Sequence, residues 1–209
     1  MQYSGDVSQT IETAEPGLRE RKKRATRRAL QRASLELVAE RGLDEVTVEE
    51  IAAAAGVSAR TFFNYFASKE DALSSTDPDA LDEQIAAILA RPAQESPWQA
   101  LRAVTLARAA QMGTDSEFWR LRGTVIRAYP ELGARLLGAS IDADRRIASA
   151  LAERLGVDPR TDPRPHLLAG AGSVVKRTAI GLWLTSGQQR DVVSTFAECF
   201  DALGDLDSG

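Results

Sequence analysis

An all-α fold is predicted for this chain of 209 residues, on three observations. Apolar residues recur at i, i+3, i+4 and i+7 through most of its length. Ser, Thr and Pro open those segments and Gly closes several of them. No alternating run is long enough to offer a strand or hairpin. Nine or ten helices are expected, with no internal repeat.

Residues 1–18 are polar, contain Pro16-Gly17 and show no periodicity, as expected of a disordered arm. A first helix is expected over 19–41. Leu30, Ala33, Leu37 and Val38 would face inward, and Gly42 with Leu43 would make a Schellman stop. From Thr47 to Asp71 the chain reads TVEEIAAAAGVSARTFFNYFASKED, which predicts a helix-turn-helix. Thr47 is a good N-cap, and Glu50 three positions on completes a capping box. Val48, Ile51, Ala52 and Ala55 then line one face, Gly56 can take a positive φ, and Ser58 offers a fresh cap. At about 100° per residue, Ser58, Phe62, Tyr65 and Phe66 cluster behind the second helix. Arg60 and Asn64 point the other way, flanked by Thr61 and Phe63.

Ser68 caps the next helix, which should reach the break at Thr76–Pro78. A helix over 79–91 would turn Leu81, Ile85, Ile88 and Leu89 inward. Ser96-Pro97-Trp98-Gln99 combines a cap, a proline at the first position and Gln at the third, opening a helix to Met112. Thr114 and Glu117 predict another capping box before a helix through Ala128. A long helix follows over 130–155, closed by Gly156. Beyond the Pro-rich loop at 158–165 come helices over 167–186, closed by Gly187, and over 190–203.

Composition narrows the chemistry. The chain carries one cysteine, Cys199, and one histidine, His166, which leaves no intramolecular disulfide, cysteine-cluster zinc site or histidine-based triad. No Gly-rich phosphate loop, nucleophile elbow or metal-ligand spacing occurs, so neither catalysis nor a cofactor is expected. The apolar run at 167–184 is broken by Lys176 and Arg177, which argues against a membrane span, and the polar start argues for the cytoplasm. The net charge is −4, but it is unevenly spread. Arg19, Arg21, Lys22, Lys23, Arg24, Arg27, Arg28 and Arg32 stand against Glu20 alone, just before the helix-turn-helix. Positive charge thus gathers where a phosphate backbone would lie.

The front of the second helix suits a DNA major groove, where Arg can bond guanine and Asn adenine through two hydrogen bonds each. The segment from Arg24 to Leu73 resembles the N-terminal domain of the TetR family of bacterial transcriptional regulators. Thr47, Ile51, Ala52, Ala55, Gly56, Val57, Ser58, Thr61, Phe62, Tyr65, Phe66, Ser68, Lys69 and Glu70 carry the likeness. Phe63 departs from it: many members have Tyr there, whose hydroxyl touches a phosphate, and a phenyl ring cannot donate that bond.

The resemblance implies a DNA-binding domain over 19–67 and a ligand-binding and dimerisation domain over 68–204. Arg60, Thr61 and Asn64 would meet bases, with Phe63 beside them. Arg24, Arg27, Arg28, Thr47, Tyr65 and Lys69 would meet phosphates of a double-stranded, palindromic operator. The two long C-terminal helices would form a four-helix bundle with a second copy, giving a homodimer. A small-molecule effector, apolar or acyl-type, would lie among Trp98, Leu101, Met112, Phe118, Trp119, Arg122, Ile126 and Trp183, with Arg122 meeting an acidic end. The C-terminal half is also similar to members grouped by an acyl-CoA-like ligand. A repressor released by its ligand is expected. The alternative from another class is an all-helical small-molecule carrier or enzyme.

Overall fold

In the computed structural model, residues 17–187 and 189–205 are described, and they form ten helices with no strand among them. These are α1 (Leu18–Arg41), α2 (Val48–Ala54), α3 (Ala59–Phe63), α4 (Lys69–Ser74), α5 (Pro78–Ala90), α6 (Pro97–Gly113), α7 (Ser116–Ala128), α8 (Pro130–Leu155), α9 (Arg164–Thr185) and α10 (Val192–Asp205). The disordered arm expected at the N-terminus lies outside the described residues up to position 16, and Leu18 belongs to α1.

Three apolar clusters hold these helices together. Leu30, Leu35 and Val38 of α1 pack with Ile51, Phe62, Phe66 and Leu73, and the same cluster takes in Phe118, Val125 and Leu132 from α7 and α8. A second joins Ile88, Leu101, Val104, Ile147 and Leu151. A third joins Ala109, Ala179, Trp183 and Phe196. The apolar residues of α8 divide accordingly: Leu132, Ile147 and Leu151 are buried, whereas Leu137 and Ile141 are 49% and 48% exposed. Val174 and Leu182 of α9 are each 46% exposed, so the α8–α9 pair presents an apolar outer face.

Several boundaries shift for identifiable reasons. Gly42 ends α1 at φ 92° with its N–H on Val38 O, but the following N–H does not close a Schellman motif. Leu43 N–H instead donates to the Tyr129 hydroxyl at 2.9 Å, tying the α1–α2 turn to the α7–α8 corner. The cap of α7 is Asp115, not Thr114: Asp115 accepts from Phe118 N–H, while the Thr114 hydroxyl donates to Gln111 O. The carboxylate prevails because it also receives Arg28 and Arg32. Helix α4 stops at Ser74, ahead of the expected break, because side chains from other helices take its last carbonyls.

Candidate nucleic-acid interface

The interface grows from local bonds legible in the chain. The Thr47 hydroxyl accepts from Glu50 N–H at 3.3 Å, and the Glu50 carboxylate receives Thr47 N–H at 2.9 Å, so α2 begins in a full capping box. A true Schellman motif ends it. Val57 N–H reaches Ala52 O, Gly56 N–H reaches Ala53 O, and Gly56 sits at φ 70°. Ser58 then accepts from Thr61 N–H, which starts α3 within a residue of that turn.

Glu50 also receives Arg41 Nη2 at 2.9 Å. The Thr47 N–H, with help from Arg41 and the Thr47 hydroxyl, lowers the Glu50 carboxyl from 4.5 to about 2. A depressed acid stabilises the fold fully above its unfolded value and loses that contribution as pH falls through the folded one. The helix-turn-helix should therefore lose this support between pH 4.5 and about 2. Titration of the Glu50 side-chain carboxyl carbon by NMR should show its midpoint near the lower limit. A midpoint near 4.5 would contradict this.

Behind α3, Phe62 is fully buried and Phe66 is 2% exposed, with ring centroids 5.7 Å apart. Arg60 and Asn64 are exposed on the opposite side, and Phe63 beside them is 57% exposed. Thr61 is half-buried, its hydroxyl 2.9 Å from that of Ser58. A shallow groove of about 380 Å³ runs between α1 and α3, lined by Arg19, Lys22, Lys23, Thr26, Thr61, Asn64 and Tyr65. Its helical spacing was visible in the sequence, since 19, 22, 23 and 26 fall at i, i+3, i+4 and i+7. The side chains of Arg19 and Lys22 have no hydrogen bond or ion pair among the described residues. Their place on the front of α1 was missed at the level of individual residues.

Other basic residues expected to face phosphate are committed to the protein itself. Arg27 donates to Tyr65 O at 3.0 Å, Ser75 Oγ at 3.0 Å and Thr76 O at 3.2 Å, and its guanidinium lies 4.3 Å from the Phe66 ring centre. Arg28 pairs with Asp115 at 2.9 Å and stacks 3.6 Å above the Phe118 ring centre. Arg24 pairs with Glu83 and lies 3.9 Å from Asp79. Through these bonds all three brace α1 against the later helices. Burial opposes ionisation of Asp115, yet hydrogen bonds from Arg28 and Arg32 hold its carboxyl below the ordinary range.

Lys69 is likewise bonded within the protein, its ammonium donating to Leu43 O at 2.6 Å and Val46 O at 2.9 Å. Thr47 stays at the surface with its hydroxyl engaged in the cap, and the half-buried Tyr65 lines the groove.

The residues expected around an effector are distributed over three apolar clusters. Leu101 is buried in the second apolar cluster with Trp98 against it, and Trp98 meets Phe200 edge-on at 5.0 Å. Met112 and Trp183 belong to the third cluster, Phe118 and Ile126 to the first, and Trp119 touches both of these. Arg122, expected to meet an acidic end, is buried with its guanidinium on Ser74 O at 2.8 Å and Ser75 O at 3.2 Å. Burial, aided by the nearby charge of Arg28, pushes it down to about 10, so it remains a cation at neutral pH.

A capped helix-turn-helix with an exposed Arg–Asn face, set beside a basic groove on a larger helical body, defines the class of helical DNA-binding regulators. Residues 30–74 match the bacterial regulatory proteins of the tetR family, and residues 95–206 match the MftR C-terminal domain. The chain is 37% identical over 175 residues to the HTH-type transcriptional regulator TcmR of Streptomyces glaucescens, covering 80% of this chain and 77% of that protein. The chain belongs to the TetR family. It is a DNA-binding transcriptional regulator and not an enzyme, which removes the catalytic alternative.

Solved structures share the fold at lower identity. FadR of Bacillus subtilis in complex with stearoyl-CoA superposes with a TM-score of 0.55 at 19% identity, over 84% of this chain and 96% of that one. NalD, the secondary repressor of a multidrug efflux pump in Pseudomonas aeruginosa, gives 0.56 at 18% identity, over 90% of this chain and 100% of that one. No helix among the described residues is long and apolar enough to cross a membrane.

Proposed function

We propose that the chain is a homodimeric, cytoplasmic repressor that holds a palindromic operator and releases it when a small apolar or acyl-type molecule binds its C-terminal helices. The carrying observation is that Asn64 shares one groove with the open cations Arg19 and Lys22, with Arg60 exposed one helical turn away. Arg60, Thr61 and Asn64 read base edges, with Phe63 as an apolar neighbour for a thymine methyl group. Arg19 and Lys22, with Tyr65, take phosphates, which position the helix without reading sequence. Residues 19–67 are the reading unit and 68–204 the effector and dimerisation unit.

Dimerisation follows from the reading geometry. A short helix contacts too few bases to specify a site alone, and paired helices must lie about 34–36 Å apart or a multiple of that. The apolar outer face at Leu137, Ile141, Val174 and Leu182 is the surface on which a second copy would sit. Leu137→Glu combined with Val174→Glu should give a monomer in sedimentation and abolish operator binding. A double variant that stays dimeric removes this face from the proposal. Ligand control requires an effector that prefers the DNA-incompetent state, and FadR with stearoyl-CoA is a fold relative in which a molecule of this kind is bound.

The DNA reading is tested by fluorescence anisotropy on duplexes flanking the chain's own coding region, against random duplex at fixed salt. Asn64→Ala should cost about 1–3 kcal/mol on the cognate site and relax specificity at one position. Lys22→Ala should weaken all sequences alike and lower the salt slope by about 0.9. Unchanged affinity in both variants would remove the groove from the interface.

A further inference from the structure

With Arg122 spent on the end of α4, two other cations stand out among the C-terminal helices, Arg108 on α6 and Lys176 on α9. Helices α6 and α9 run side by side in the same direction. Leu101 packs on Gly172, where an added Cβ would come within 2.8 Å of a Leu101 methyl, and further along Ala109 and Ala179 share one cluster. Arg108 and Lys176 fall between these two points of close packing. Both are half-buried. Arg108 Nη1 donates to Ala80 O at 3.0 Å, and the Ser173 hydroxyl, three residues before Lys176, donates to Asp144.

The charges there do not balance. Neither Arg108 nor Lys176 has an ion pair among the described residues, and the Lys176 ammonium has no hydrogen bond there either. The carboxylates within electrostatic reach of Arg108 are Glu83 and Asp77; Glu83 is bonded to Arg24. Asp144 faces Lys176 but accepts Ser173, and the charges of Arg108 and Arg177 bear on Lys176 as well. Burial pushes both Arg108 and Lys176 below their ordinary values, and for Lys176 the charge of Arg108 adds to it. Holding two half-buried cations within each other's field is unfavourable unless an anion joins them, and such uncompensated groups concentrate where a ligand binds.

We infer that Arg108 and Lys176 form the anion-holding end of the effector site, gripping the carboxylate or phosphate head of an amphiphile whose apolar body lies toward Leu81, Ile85 and Val104. This rests on the reading of the chain as effector-responsive, and it moves the acid-binding role from Arg122 to this pair. Val104 precedes Arg108 by one turn of α6, Leu81 follows the Ala80 whose carbonyl Arg108 bonds, and both belong with Ile85 to one apolar cluster, so head and body find matched surroundings.

Dodecanoate, dodecyl phosphate and dodecanol share one chain and differ only in the head. Each is titrated into the full-length wild type and into Arg108→Gln, Lys176→Met and Lys176→Arg, by calorimetry and by fluorescence of the three tryptophans. Circular dichroism checks that each variant is folded. The wild type should take at least one anion roughly ten-fold more tightly than dodecanol. Arg108→Gln and Lys176→Met should lose that preference and Lys176→Arg should keep most of it. Tighter dodecanoate assigns a carboxylate head, and tighter dodecyl phosphate a phosphate. A wild type without anion preference, including one that binds none of the three, overturns the site, as does a preference surviving both charge-removing variants. Operator release separates this from the broader reading. Dodecanol releasing DNA as well as the anions do leaves a responsive regulator and overturns the pair. Anion binding that depends on the pair but leaves the operator complex intact overturns its effector role.

Discussion

Phe62→Ala should destabilise the fold by about 3–5 kcal/mol and abolish operator binding with it. Phe62 is fully buried and joins α1, α2 and α4 in one cluster, its ring 5.6 Å from Phe63 and 5.7 Å from Phe66. Helix α3 spans only Ala59–Phe63, too short to hold its shape by its own backbone bonds. Its orientation is therefore set by the ring behind it. Removing that ring costs transfer free energy and leaves a cavity that backbone fixed by the Gly56 turn cannot easily fill. Phe62→Leu keeps apolar volume and should lose only about 1 kcal/mol. Urea denaturation of the three proteins measures the difference. Equal midpoints for Phe62→Ala and wild type would contradict the anchoring role.

Arg122→Met should lower the melting temperature by roughly 4–8 °C, corresponding to a loss of about 2 kcal/mol in a chain of this size. The guanidinium holds two carbonyls at the end of α4. Ser75 O keeps a second donor in Gln31 Nε2 at 3.1 Å, so the cost falls on Ser74 O, left without that charged donor inside the protein. The methionine chain fills most of the arginine's apolar volume, which isolates the polar loss from a packing loss. A melting temperature equal to wild type would show that Arg122 is no brace, and would return it to the candidates for an effector's acidic end.

The two substitutions also mark what the sequence can and cannot reveal. Interactions closed within a few residues were legible: the Thr47–Glu50 box, the Gly56 turn, the Ser58 and Ser68 caps, and the Ser96–Gln99 box. So was the direction of Arg60 and Asn64, because helical phase alone opposes them to Phe62 and Phe66. The roles of Arg27, Arg28 and Arg122 were not, since their partners lie 38 to 87 residues away. A cation beside a DNA-reading helix looks the same in sequence whether it meets a phosphate or the far end of its own chain. Asp115 escaped notice for the same reason, because its preference as the α7 cap is set by arginines on α1. Tryptophans and phenylalanines at helical spacing mark an interior but not whether it is filled, and here they divide among three packed clusters.

The short α3 has a bearing on how such a chain can diversify. Its hold on the body comes from the rear, while Arg60, Phe63 and Asn64 stand outward and contribute little to folding. Substitutions at exposed sites of this kind usually stay within about 0.5 kcal/mol of neutral stability. The three positions can accordingly be exchanged with small risk to the scaffold, so that descendants of one gene could acquire new genomic addresses while keeping an unaltered interior.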